Sequence, residues 1–327
     1  MSDDSDISRI ADFYRRFAEL EARGSSPLYE ELSLGVAADA ELLTLLSGLP
    51  RLKQQPNLLL AASRFVNGTP SGYAEFRSAT LDNRDAVIDV MMARRTQTNE
   101  VARTAHIVPL LAQLPQPLAL LEVGASAGLN LYPDRYRYDY GYATAGDPDS
   151  PLTIVCEVDG DIRPPIGRYD VVWRAGLDLN PLDVTDPEIA QWLETLVWPG
   201  QDDRLARLRT AIDIVAAEPP RLVKGDLLAD IDALMADAPN NATLVVMHSS
   251  TLVYVPQDVR DAFAAKMRAL DGCWISQEGP GVAPVLDTGI TALESQSPRS
   301  GAALTVSVDG QPKALAAPHG GWIRWLA

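Results

Sequence analysis

A chain of 327 residues, 46% hydrophobic and 22% charged, has the composition of a globular protein with material for two modest cores. Its net charge of −16 repels phosphate backbones and sets general nucleic-acid binding aside. No apolar run reaches the roughly eighteen residues of a membrane span, and the acidic start MSDDSDISRI is unlike a signal peptide, so a cytoplasmic protein is expected.

The first hundred or so residues carry helical spacing. Ile10, Phe13, Phe17 and Leu20 recur every three or four residues and predict an amphipathic helix. ADAELLTLLSGLP and QPNLLLAASRFV predict further short helices bounded by Pro or Gly, and a broken helical region runs from about Asp82 to Leu114. No alternating strand pattern precedes Pro115. The character then changes. PLALLEVGASAG is an apolar run closed by small residues, the pattern of a buried parallel strand turning into a helix.

YRYDYGYATAGDPDSPLTIVCEVDGD alternates around a Gly/Asp/Pro turn and predicts a hairpin insertion over about 135–170. Its stripe of Tyr132, Tyr136, Tyr138, Tyr140 and Tyr142 suits hairpin packing. YDVVWRAGLDLNPLDV predicts a strand, and TDPEIAQWLETLVW a helix with Thr185 as N-cap and Glu188 completing a capping box. DDRLARLRTAIDIVAA predicts another helix. RLVKGD, ATLVVMHSS and GCWISQEGP predict strands, separated by helices in LLADIDALMADA and VPQDVRDAFAAKMRAL. Asp309-Gly310 marks a terminal hairpin. Strands alternating with helices imply a parallel sheet. The expected organisation is an all-α domain over 1–95 and an α/β domain over 96–327.

Glu122-Val123-Gly124-Ala125-Ser126-Ala127-Gly128 sits where the first strand should hand over to a helix, a junction that directs backbone N–H groups and a helix dipole at a ligand. A dinucleotide fingerprint needs its last glycine at 129, which is Leu129. The run instead resembles the acidic-x-Gly-x-Gly-x-Gly signature of class I S-adenosylmethionine-dependent methyltransferases, with Ser126 in place of the middle glycine. That resemblance implies a Rossmann-like sheet with a C-terminal antiparallel hairpin, S-adenosylmethionine as cofactor and S-adenosylhomocysteine as product. It further implies cofactor contacts from Glu122, Gly124, Ala125, Ser126 and Gly128, ribose contacts from Asp178 (Asp139 as second choice) and adenine contacts from Asp226. Asn99 and Arg103 lie on the segment expected to fold over the methionine end, where Arg103 would pair with its carboxylate. His248, at the end of a central strand, is the candidate base, set against a hydrogen-bonded core histidine.

The stretches QTNEVAR, LLEVGASAGLNL, GLDLNPLDVTDPE, WLETLVWP and GDLL resemble a bacterial family of unknown function, DUF2332, over nearly the whole chain. Two other functions compete. Gly124-Ala125-Ser126-Ala127-Gly128 also spells the G-x-S-x-G nucleophile elbow of serine hydrolases, with Ser126, Asp226 and His248 or His319 in that fold's order; helices stand where its early strands belong. A methyltransferase-like domain kept only for ligand binding is the other. Cys156 and Cys273 lack CxxC spacing and only three histidines exist, so no metal site is expected. A small-molecule substrate is favoured, without nucleic acid or membrane as partner.

Overall fold

The computed structural model describes residues 2–279, 281–282 and 303–326. The helices are α1 (Ser2–Phe17), α2 (Pro27–Ala38), α3 (Ala40–Ser47), α4 (Pro56–Asn67), α5 (Tyr73–Asp82), α6 (Arg84–Ala93), α7 (Val108–Leu111), α8 (Pro187–Leu196), α9 (Asp202–Ala217), α10 (Ile231–Ala236) and α11 (Gln257–Arg268). The strands are β1 (Leu118–Val123), β2 (Arg137–Asp139), β3 (Thr144–Gly146), β4 (Thr153–Val155), β5 (Glu157–Asp159), β6 (Val171–Asp178), β7 (Arg221–Lys224), β8 (Thr243–Ser249), β9 (Cys273–Glu278), β10 (Leu304–Val308), β11 (Gln311–Ala316) and β12 (Trp322–Trp325). No helix among the described residues is long and apolar enough to cross a membrane.

Two compact units divide the chain. One comprises Met1–Thr98 with Asp186–Arg209, the other Asn99–Thr185 with Thr210–Ala327. In the helical unit, Ile10, Tyr14 and Phe17 of α1 pack with Leu32, Leu42, Leu59, Phe76 and Val87 around one core, which also takes in Trp192 of α8. Ser26 and Asp39 cap α2 and α3 by accepting backbone N–H bonds. At α8 the cap is Asp186, which accepts from Glu188 N–H at 2.8 Å, rather than the expected Thr185. Thr185 is engaged instead with Asp183.

The second unit is mixed α/β, built on a nine-stranded, mostly parallel sheet in the order β5-β12-β11-β10-β9-β8-β1-β6-β7. Strands β7, β6, β1, β8 and β9 run parallel; β10, β11 and β12 alternate in direction, and β5 returns parallel to β12 at the far edge. The hairpin between β10 and β11 turns through Asp309 and Gly310, both at positive φ as a type I′ turn needs. Chain order runs from β1 outward through β6 to β7 and then reverses to β8 on β1's other side, which places a topological switch point between β1 and β8.

The segment between β1 and β6 is more than a hairpin. β2, β3 and β4 form a small separate sheet, and β5 leaves it to pair with β12. Its tyrosines are structural: Tyr136, Tyr138 and Tyr140 are buried, and their hydroxyls donate to Leu129 O, Thr104 Oγ1 and Ala105 O at 2.7–2.9 Å.

Candidate functional site

Side-chain alternation divides the strand ends into two faces. Leu121 and Val123 of β1, with Ala175, Leu177, Val246 and Trp274, pack against Ile231, Leu234, Phe263 and Met267 of α10 and α11. On the opposite face, register aligns Glu122 with Gly176 and Met247, and Ser249 with Gln277; Asp178, two residues beyond Gly176, shares that side. The 3₁₀ segment Val101–His106 and the 3₁₀ turn Leu129–Leu131 lie over this second face. It gathers most of the polar groups that the sequence singles out.

The β1 loop is tightly built. Gly124 has φ +72°, and a Cβ there would meet Thr251 Oγ1 at 2.3 Å. Gly128 has φ +71°, and its Cβ would meet Pro220 Cγ at 2.8 Å. Both positions therefore need glycine for internal packing. Ser126 also has positive φ, 51°. The Gly124 and Ala125 N–H groups donate to Leu177 O, Ser126 N–H to Asp178 Oδ2 (2.8 Å), Ala127 N–H to Asn99 Oδ1 (3.2 Å) and Gly128 N–H to Ala125 O. The loop opens no α-helix; only the short 3₁₀ turns Leu129–Leu131 and Pro133–Arg135 follow. The expected free amides and helix dipole are thus replaced by a loop whose donors are all engaged within the protein.

Asp178 holds this loop from below, accepting additionally from Asn180 N–H at 2.7 Å. Asn99 donates through Nδ2 to Ser126 Oγ at 3.0 Å, so both its amide atoms clamp the loop. Buried Arg103 donates through Nε to Pro318 O (2.7 Å) and through Nη1 to Ser249 Oγ (3.3 Å). His106 Nδ1 lies 3.0 Å from Gln277 Oε1, and burial pushes its ring down to about 4.

Glu122 is 4% exposed. Asn130 Nδ2 donates to its Oε1 at 3.0 Å, while its Oε2 and Asn130 Oδ1 are buried without a hydrogen-bond partner among the described residues. Burial pushes the Glu122 carboxyl up to about 8; the Asn130 bond offsets this in part, nearby Asp178 adds to it and Arg103 opposes it.

His248 and Asp226 stand apart from this group. His248 faces the helical side, its ring 6.0 Å from Trp274 and 5.6 Å from Phe263, with Nδ1 2.7 Å from Glu278 Oε1. The same carboxylate oxygen accepts from Thr251 and Leu252 N–H, so Glu278 anchors the turn after β8. Asp226 is exposed and caps a turn, accepting from Leu228 and Ala229 N–H. Asp139, the second choice for the ribose, accepts from Gly141 N–H in the small sheet's turn. Cys156 and Cys273 are buried free thiols whose burial raises both to about 12.

Asn130, His106, Gln277, Glu278 and Thr251 were not singled out by sequence. Asn130 had one available signal, its place in the same LLEVGASAGLNL stretch as the loop. His106 closes the 3₁₀ segment Val101–His106, while Gln277 and Glu278 come from β9 and Thr251 from the turn after β8, which no local spacing announces.

The architecture is thus that of a mixed α/β protein with a polar cluster at a sheet switch point. The chain belongs to the family described as "Uncharacterized protein conserved in bacteria (DUF2332)", whose model matches residues 11–325. No curated protein and no solved structure matches it.

Proposed function

We propose that the α/β unit is a Rossmann-like S-adenosylmethionine-dependent methyltransferase acting on a small-molecule acceptor. The observation that carries this reading is the reversal of strand order between β1 and β8, with acidic and basic side chains clustered at the strand ends beside it. The donor and acceptor set suits the cofactor's charges. Glu122 Oε2, buried and without a hydrogen-bond partner among the described residues, suits an ammonium group, and Arg103 is a guanidinium for a carboxylate. Asp178 already accepts two N–H bonds, yet each carboxylate oxygen keeps a second lone pair for a hydroxyl. The closed β1 loop contributes shape rather than N–H donors.

S-adenosylmethionine supplies an electrophilic methyl group on a sulfonium centre. In this reading Asn99 and Asp178 hold the loop rigid, Arg103 orients the ligand, and buried Glu122 keeps water from one side; catalysis is proximity and alignment. His248, paired with Glu278 on the opposite face, steadies the turn after β8.

Isothermal titration with S-adenosylmethionine and S-adenosylhomocysteine tests the reading. Micromolar binding is expected, and Gly124→Trp should abolish it, because the loop has no room beside Thr251. Absence of binding to both compounds overturns it. The positive φ of Ser126 favours one alternative, a serine hydrolase with a strained elbow. Labelling of Ser126 by a fluorophosphonate would support that reading instead.

A further inference from the structure

In a chain with a net charge of −16, cations gathered without acidic partners call for a physical reason. One such group lies wholly within the helical unit, where residues 94–96, which follow α6, meet the start of α4. Three elements hold that stretch. Lys53, from the 3₁₀ turn Arg51–Lys53, donates through Nζ to Arg94 O at 2.8 Å. Trp192 Nε1 of α8 donates to Arg95 O at 3.1 Å, and Thr96 Oγ1 donates to Gln55 Oε1 at 3.2 Å. The backbone is therefore pinned on both sides of Arg95, whose side chain is exposed.

The neighbouring carboxylates are engaged elsewhere. Glu188 pairs with Arg94, whose guanidinium lies over Phe65 and Trp192; Asp6 pairs with Arg9, which also donates to Gln54 Oε1 at 2.6 Å. Among the described residues neither Lys53 nor Arg95 has a carboxylate within ion-pair distance. Lys53 is half-buried, and burial, followed by the Arg95 guanidinium, holds its ammonium below the ordinary 10.5. The positive end of the α4 macrodipole adds to both charges, since Gln55 makes no side-chain bond to the helix it precedes. Like charges brought together in this way are destabilising on their own and favourable once an anion joins them.

We propose that Lys53 and Arg95 form a binding site for the phosphate group of a small molecule. Two uncompensated positive charges match a phosphate monoester, which carries about −1.5 to −2 at neutral pH and three acceptor oxygens. The guanidinium supplies a planar fork for two of those oxygens and the ammonium a compact point charge for the third. A carboxylate, with one charge and two oxygens, leaves one cation unmatched. A nucleic acid is opposed by the field of the whole chain, which a small phosphate feels far less. The site gives the helical unit a ligand of its own, whatever the α/β unit binds.

Thermal unfolding of the full chain in inorganic phosphate, against chloride of equal ionic strength, tests the site. The midpoint should rise by about 2–4 °C at about 20 mM phosphate, and no rise overturns the proposal. Lys53→Gln keeps a donor for Arg94 O, and Arg95→Gln leaves the Trp192 bond to the backbone in place. By isothermal titration each should weaken phosphate about tenfold, while Lys53→Arg, which keeps the charge, should retain it. Retention in Lys53→Arg with loss in Lys53→Gln separates charge from folding; equal loss in both overturns the proposal. Lys313→Gln, an exposed lysine of the other unit, should leave affinity unchanged, and a loss there as large as in Lys53→Gln would mean a diffuse field and no site. Phosphate binding that survives Lys53→Gln and Arg95→Gln together places the anion elsewhere and overturns it. Acetate and a short DNA duplex should produce no shift; an equal response to acetate, or tighter binding of the duplex, overturns the assignment to a small phosphate.

Discussion

Burial raises the Glu122 carboxyl from its ordinary 4.5 to about 8 and lowers the His106 ring from 6.5 to about 4, so both lean toward their uncharged forms. Their effects on stability have opposite signs. A carboxyl raised in the folded state stabilises fully below 4.5, and that contribution is lost as pH climbs toward 8. A histidine lowered in the folded state contributes fully above 6.5 and loses its contribution as pH falls toward 4. Between 4.5 and 6.5 the two slopes oppose each other; above 6.5 only Glu122 acts. Glu122→Gln should therefore gain on the wild type by about 2 kcal/mol between pH 6.5 and 8, at about 1.4 kcal/mol per unit. His106→Gln should flatten the acid limb in the complementary way. Urea denaturation across pH 4–8.5 checks both, and parallel curves for wild type and Glu122→Gln would show that this carboxyl is charged in the fold.

At the scale of elements, the loop after β1 and the turn after β8 are one packed object. Thr251 Oγ1 and Cγ2 occupy the place where a Gly124 side chain would sit, and Thr251 Oγ1 donates to Val123 O at 3.2 Å. Gly124→Ala should cost about 2 kcal/mol from the positive φ and the clash together. Thr251→Ala removes both clashing atoms, so the double variant should recover about 1 kcal/mol relative to the sum of the singles. Strict additivity in denaturant melts would show that the two elements do not meet. This pairing also marks what the sequence could disclose. Apolar runs located β1 and β8, because burial of their central residues on both faces leaves a near-continuous apolar stretch. Asp309-Gly310 located the terminal hairpin because both positions need positive φ. The strand-to-helix handover after Gly128 was not legible, since Leu129–Leu131 is apolar enough for a helix and Pro133 interrupts it only later. The alignment of Val158 with Ile323 was equally hidden, because a three-residue edge strand has no partner within its own neighbourhood. His248 was placed on the correct strand, but its face follows from register with Val123, which spacing alone does not supply.

On the scale of the whole molecule, the helical unit is not a contiguous stretch of sequence. The periodicity of the first hundred residues predicts helices but does not reveal that Asp186–Arg209 completes their core. Trp192 is buried in that core, donates through Nε1 to Arg95 O at 3.1 Å, and lies edge-on to Phe65 with ring centres 5.8 Å apart. The Arg94 guanidinium sits over both rings, at 4.9 Å from Phe65 and 5.4 Å from Trp192. Trp198 packs on Phe17 and Tyr29, and Arg64 Nη1 donates to Thr195 O and Val197 O near the end of α8. Removing this stretch would strip aromatic surface from α1, α2 and α4 at once and leave Arg64 without its carbonyls. A fragment of residues 1–98 should consequently lose the cooperative transition that the unit has within the full chain. Trp192→Ala in the full chain should cost about 3–5 kcal/mol, the range for emptying a large aromatic site. Adding a peptide of residues 186–209 to the fragment should restore helicity by circular dichroism and a single urea transition. A fragment that melts cooperatively without the peptide would show that the N-terminal helices close their own core and that Trp192 only decorates it.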